Sequence, residues 1–107
     1  MHGELEKSGP HVERWLAESR QDDLRRYESL HDQIKGKTIL DFGCGAGGFL
    51  MLAREAAESV AGVEPEKSLS THFEANEILA MEDLGDVPTG EKFDVITAFH
   101  VVEHLSD

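Results

Sequence analysis

The sequence predicts an α/β domain, a doubly wound and mostly parallel sheet behind an N-terminal helical segment. Three observations lead there. An apolar run, TILDF at residues 38–42, meets four glycines within residues 43–48 and leaves as an apolar helix through Phe49, Leu50, Leu52 and Ala53. Further apolar runs of strand length alternate with stretches of helical spacing, and strands joined through helices pair in parallel by right-handed crossovers. The 107 residues make one domain, which buries about two-thirds of its unfolded surface.

The first element is helical. Residues 1–9 are polar, and Pro10 suits the first turn of a helix. Val12, Trp15, Leu16 and Ser19 recur at helical spacing, then a charged break precedes Leu24, Tyr27, Leu30 and Ile34. One bent helix or two short ones fit this pattern. Gly36 is a stop signal, so residues 1–36 form the helical segment and residues 37–107 the ligand-binding domain. Trp15 and Tyr27 either pack on the sheet or cover a ligand, with Arg20, Arg25 or Arg26 near a carboxylate.

The strand at 38–42 and its glycines carry the strongest signal. A backbone that turns sharply out of a strand and lies close to a ligand needs residues without a Cβ, and the helix beginning there aims free N–H groups at whatever covers the turn. Gly43, Gly45 and Gly48 satisfy the dinucleotide G-x-G-x-x-G spacing. Asp41 argues otherwise: a carboxylate at the end of an apolar strand repels a pyrophosphate and suits a cationic amino group. The bland alternative is a glycine turn with no ligand.

Residues 59–63 (SVAGV) form a second strand ending at Glu64, where an acid meets ribose hydroxyls in open α/β sheets. Pro65 opens a helix with Leu69, His72 and Phe73 on one face. A third strand at 77–81 runs into Glu82 and Asp83, and a loop holding Pro88 and Gly90 leads to a fourth strand at 93–99. His100 opens a last helix over 100–105.

Composition narrows the function. Net charge is −12, uneven along the chain: residues 1–37 carry 7 basic and 8 acidic side chains, residues 38–107 carry 3 and 14. Such a surface repels phosphate backbones and anionic lipid, which argues against nucleic acid or a membrane as partner. The single cysteine, Cys44, excludes an internal disulfide or a multi-cysteine zinc site. No apolar run reaches membrane-span length and the N-terminus lacks a signal-peptide core, so a cytoplasmic protein is expected.

Asp41-Phe42-Gly43-Cys44-Gly45-Ala46-Gly47 resembles motif I, D-x-G-x-G-x-G, of the class I S-adenosylmethionine (SAM) dependent methyltransferases. With Gly62-Val63-Glu64, Met81-Glu82-Asp83-Leu84, Phe93-Asp94-Val95-Ile96 and the HVVEHL segment following in order, the chain resembles the N-terminal portion of a small-molecule methyltransferase of the ubiquinone-biosynthesis O-methyltransferase type. The resemblance implies a Rossmann-like sheet in the order 3-2-1-4, incomplete without further strands. It also implies that Asp41, Gly43 and Gly45 meet the methionine end of SAM, that Glu64 accepts from the ribose, and that Met81 packs on adenine while Glu82 or Asp83 takes its amino group. Phe99 and His100 then border the methyl donor, beside a small-molecule acceptor.

His100, Glu103 and His104 stand at i, i+3 and i+4 on one helical face. The segment is similar to an E-x-x-E-H of metal-assisted O-methyltransferases, with His100 in place of the first glutamate. It implies His100 and His104 as catalytic residues and a divalent metal on His100, Glu103 and His104, against the alternative that the histidines line the acceptor pocket or cap the helix. Rival readings are an NAD-binding oxidoreductase domain and a catalytically inert SAM-binding module. An apolar fourth strand left at the edge of an incomplete sheet is expected to pair in a homo-oligomer or to fray, with little methyl transfer.

Overall fold

The computed structural model describes residues 2–88 and 90–98, with side chains from residue 12 onward. Phe99, His100, Glu103 and His104, and the helix expected over 100–105, lie outside the described residues. The elements are α1 (His2–Ile34), β1 (Thr38–Phe42), α2 (Gly48–Ala53), β2 (Ser59–Val63), α3 (Ser70–Ala75), β3 (Leu79–Met81) and β4 (Val95–Thr97). All strand pairs are parallel, in the order β3-β2-β1-β4. This is the order that the resemblance implies.

α1 is one helix rather than two. It begins at His2, so Pro10 lies inside it instead of at its first turn. The charged break expected after Ser19 does not interrupt it, because the inward stripe continues in polar residues. Asp23 is buried and accepts a hydrogen bond from Ser19 Oγ at 2.7 Å. Gly36, at φ 70°, ends the helix and donates to Ala56 O at 2.9 Å, tying α1 to the segment after α2.

The register divides the sheet into two faces. Ile39, Val60, Ala80 and Val95 point to one side, where Ile34 of α1, Phe49, Leu50 and Ala53 of α2, Leu69, and Phe73 of α3 close the main core. Leu40, Ala61 and Val63 point to the other, covered by Val87 and Phe93 from the crossover between β3 and β4. The sheet is therefore wound on both faces. The second layer is thinner: on the flanking strands Leu79 and Ile96 remain 64% and 66% exposed.

β3 is two residues shorter than the sequence suggests at its start. Glu77 takes φ 57° and ends α3, with Ile78 N–H donating to Phe73 O at 2.9 Å and Glu77 N–H to Glu74 O at 3.2 Å. This pair of bonds is the Schellman arrangement, completed by Ile78 and Phe73 sharing the core. Pro65 precedes the helical region instead of starting it, since a 3-10 turn at Lys67–Leu69 comes before α3.

Candidate functional site

The loop of residues 43–48 lies beyond the carboxyl ends of β1 and β2. Gly43, Gly45 and Gly47 all adopt left-handed φ, at 75°, 60° and 85°, a region that a side-chain-bearing residue enters only at a cost. The loop also has no room to spare. A Cβ on Gly45 would stand 3.0 Å from the Trp15 ring, one on Gly47 would stand 3.0 Å from Ile78 Cδ1, and one on Gly48 would collide with the Asp23 carboxylate. Trp15 and Asp23 of α1 thus form one wall of the loop.

Several loop N–H groups are already spent. Gly43 and Cys44 donate to Val63 O at 2.8 and 3.2 Å, and Gly47 donates to Cys44 O at 3.0 Å. Gly45 donates to Glu64 Oε1 at 2.9 Å. What Gly43 and Gly45 offer a ligand is therefore close backbone approach and carbonyl oxygens rather than donors. That chemistry suits a cation.

Asp41 is 1% exposed and sits beside the first glycine. Its Oδ1 accepts from Thr97 Oγ1 at 2.7 Å, a bond across the β1–β4 pair. Burial pushes its carboxyl up from the ordinary 3.8 to about 6, against the opposing pull of the Thr97 hydroxyl and the Arg26 guanidinium, while Asp23 and Glu64 add to the rise. Of the three arginines named from the sequence, Arg26 is the one whose charge reaches Asp41. Arg25 pairs with Asp22 on the surface.

Glu64 is half-buried, and its two oxygens grip two backbone donors, Gly45 N–H through Oε1 and Glu66 N–H through Oε2 at 3.1 Å. Each oxygen keeps a second lone pair for a hydroxyl. Met81 leans into the second core layer beside Leu40 and Val63, and its carbonyl accepts from Glu64 N–H at 2.8 Å. Glu82 is exposed. Asp83 caps the next 3-10 turn, its Oδ2 accepting from Gly85 N–H at 3.2 Å.

The structure adds two residues that sequence reasoning missed. Thr97 carries no signal of its own within an apolar strand, and its register opposite Asp41 makes it that acid's hydroxyl donor. His72 read as one member of a helical face, yet its Nε2 lies 2.7 Å from Ala46 O of the loop. Burial first, then Asp41 and Glu64, push the Cys44 thiol up to about 12, so it packs as an inert side chain. Among the described residues, no group of three His, Cys, Asp or Glu side chains is placed to hold a metal, and no helix is long and apolar enough to cross a membrane.

Comparison with known proteins converges on one family. The chain is 30% identical over 131 residues to a ubiquinone biosynthesis O-methyltransferase of Neisseria meningitidis serogroup C, covering 98% of this chain and 52% of that protein. The chain therefore spans about half the length of the curated relatives it matches. In shape it is similar to Streptomyces venezuelae DesVI, with a TM-score of 0.64 at 21% identity over 84% of this chain and 42% of that one, a likeness of fold alone. It is also similar to the Trypanosoma brucei PRMT1 enzyme-prozyme complex with AdoHcy, with a TM-score of 0.51 at 26% identity, covering 73% of this chain and 30% of that one. The family described as a methyltransferase domain matches residues 12–107, so the glycine loop between Asp41 and Glu64 is set in a chain that belongs to the methyltransferase domain family.

Proposed function

We propose that this chain forms the SAM-binding part of a methyltransferase acting on a small molecule. The observation that carries the reading is the pair of carboxylates at the carboxyl ends of adjacent strands, Asp41 buried and Glu64 half-buried, with a tight left-handed glycine loop between them. SAM supplies an ammonium, a carboxylate, a ribose diol and a methyl group already activated by the sulfonium. Asp41 and the loop carbonyls accept from the ammonium, and Arg26 balances the carboxylate. Glu64 takes the ribose hydroxyls on its remaining lone pairs. Met81 borders the adenine, with Glu82 or Asp83 as acceptor for its amino group.

The residues fit that ligand. Asp41 is an anion that burial penalises, and a ligand cation relieves the penalty. The protein's further task is to align an acceptor with the methyl group. The ubiquinone-biosynthesis relatives favour a hydroxyl acceptor and O-methylation. On the acceptor side we assign His100 as neighbour of the methyl donor with Phe99, His100 and His104 as the catalytic pair, and His100, Glu103 and His104 as a divalent-metal set. Zn²⁺ titration of the parent against the His100→Ala, His104→Ala double variant tests the metal. The edge of β4 is the assigned contact for a homo-oligomer, which light scattering checks. A cytoplasmic location fits the single cysteine and the acidic surface.

Calorimetry with SAM and with NAD decides the central claim. Binding of SAM in the micromolar range with NAD much weaker is the expected result. Preference for NAD overturns the assignment, and SAM binding with no turnover on any hydroxyl acceptor favours the inert binding module.

A further inference from the structure

Two contacts cross from the segment after β2 to the loop after β1, at successive residues and with opposite polarity. Glu64 accepts from Gly45 N–H at 2.9 Å, and the His72 ring meets Ala46 O at 2.7 Å. The far side of the His72 ring is also engaged, since Asn76 Nδ2 lies 3.2 Å from His72 Nδ1 and 2.9 Å from His72 O. An amide nitrogen can only donate, so Nδ1 accepts and Nε2 carries the proton that goes to Ala46 O. This network assigns the neutral Nε2–H tautomer. Arg54 Nη1 donates to Asn76 O at 2.7 Å, anchoring the end of α3 to the end of α2.

The Ala46 carbonyl and the Gly47 N–H belong to one planar peptide. His72 holds the first and Cys44 O holds the second at 3.0 Å, so this peptide is clamped at both ends beside the left-handed Gly45 and Gly47. Apolar contact alone does not set its orientation. Ile78 and Phe73 reach the place where a Gly47 Cβ would be, but neither can tell one rotation of the peptide from another.

We propose that His72 is a positioning residue for the cofactor loop, holding the Ala46–Gly47 peptide in the orientation that presents the loop to the methionine end of SAM. The proposal rests on the SAM reading above. Loop order obtained before binding is order that the ligand need not supply, so its loss appears as weaker affinity.

The test uses His72→Phe, which keeps a ring in place and removes the donor, and His72→Gln, whose amide nitrogen reaches the position of Nε2. S-adenosylhomocysteine is titrated calorimetrically into each folded protein well below its melting temperature. One lost neutral hydrogen bond predicts roughly three- to tenfold weaker binding in His72→Phe, with His72→Gln within about twofold of the parent. A merely structural role lowers the melting temperature of both variants and leaves affinity unchanged, and that outcome overturns the proposal. A long-range ¹H–¹⁵N spectrum of the parent showing the proton on Nδ1 overturns it as well. A parent that binds no S-adenosylhomocysteine fails the SAM reading first and this inference with it, whereas equal binding by parent and His72→Phe fails this inference alone.

Discussion

The carboxyl ends of β1 and β2 lie side by side and each presents an acid, yet the two acids are held in opposite ways. Asp41 is sealed from water with one hydroxyl donor, and burial pushes its carboxyl up to about 6. Glu64 reaches solvent and grips two backbone N–H groups, one in the glycine loop and one in its own segment. The first acid is costly to the fold and the second organises it. A buried anion held at a structural cost is what a cationic ligand can reward, whereas a wet, well-bonded anion serves as a fixed acceptor.

Asp41→Asn sharpens the contrast most. Removing one partner of a buried charge pair costs several kcal/mol, so SAM affinity should fall on the order of a hundredfold. The same change should raise the stability of the ligand-free protein at pH 7. The folded pKa lies above the unfolded value, so stability contributed below pH 3.8 is lost as the pH rises through about 6. Over that interval the loss is on the order of 3 kcal/mol. Urea unfolding at pH 7 should show the variant more stable, and the gap should close towards pH 4.

Glu64→Ala should move both quantities the same way. It removes charge-assisted bonds of about 1.5 to 3 kcal/mol each, so SAM should bind at least about tenfold more weakly and the ligand-free protein should lose stability. Unchanged SAM affinity in a folded variant would remove Glu64 from the site. A gain in stability would break the contrast itself.

Acid should act through Asp41. An ammonium ligand needs the ionised carboxylate, so SAM affinity should be flat above pH 6 and fall as the pH drops below it, approaching tenfold per unit. Calorimetry across that range measures it, and the fall should vanish in Asp41→Asn.

Thr97→Val should have the smallest effect. It keeps the shape and removes the donor to Asp41 Oδ1, so a hydrogen bond that favours the ionised form is lost, at about 1 kcal/mol. The acid limb of SAM binding should shift to higher pH while the plateau changes little.

Much of this was legible in one dimension. β1 and β2 have the predicted limits, because apolar strands buried on both faces read as continuous runs. Asp41 and Glu64 stood out for the same reason, each being a charge at the end of such a run. The start of β3 was misread because Glu77 and Ile78 look extended by composition, and only the Phe73 carbonyl shows that they close a helix. The charged stretch after Ser19 reads as a break in α1 because a polar stripe, here Asp23 accepting from Ser19, has no apolar period to reveal it.

By itself the sequence determined the order of strands and helices, the turn that must be glycine, and the two acids flanking it. These follow from local rules: side-chain period, the need for φ above zero, and the exclusion of charge from a buried run. Only the tertiary structure decided the hydrogen-bond partners of Asp41 and His72, since Thr97 lies 56 residues from Asp41 and His72 lies 26 from Ala46. Hydrogen bonds form between atoms brought within about 3 Å, and at such separations along the chain it is the parallel register and the packing of α3 on the loop that bring them there.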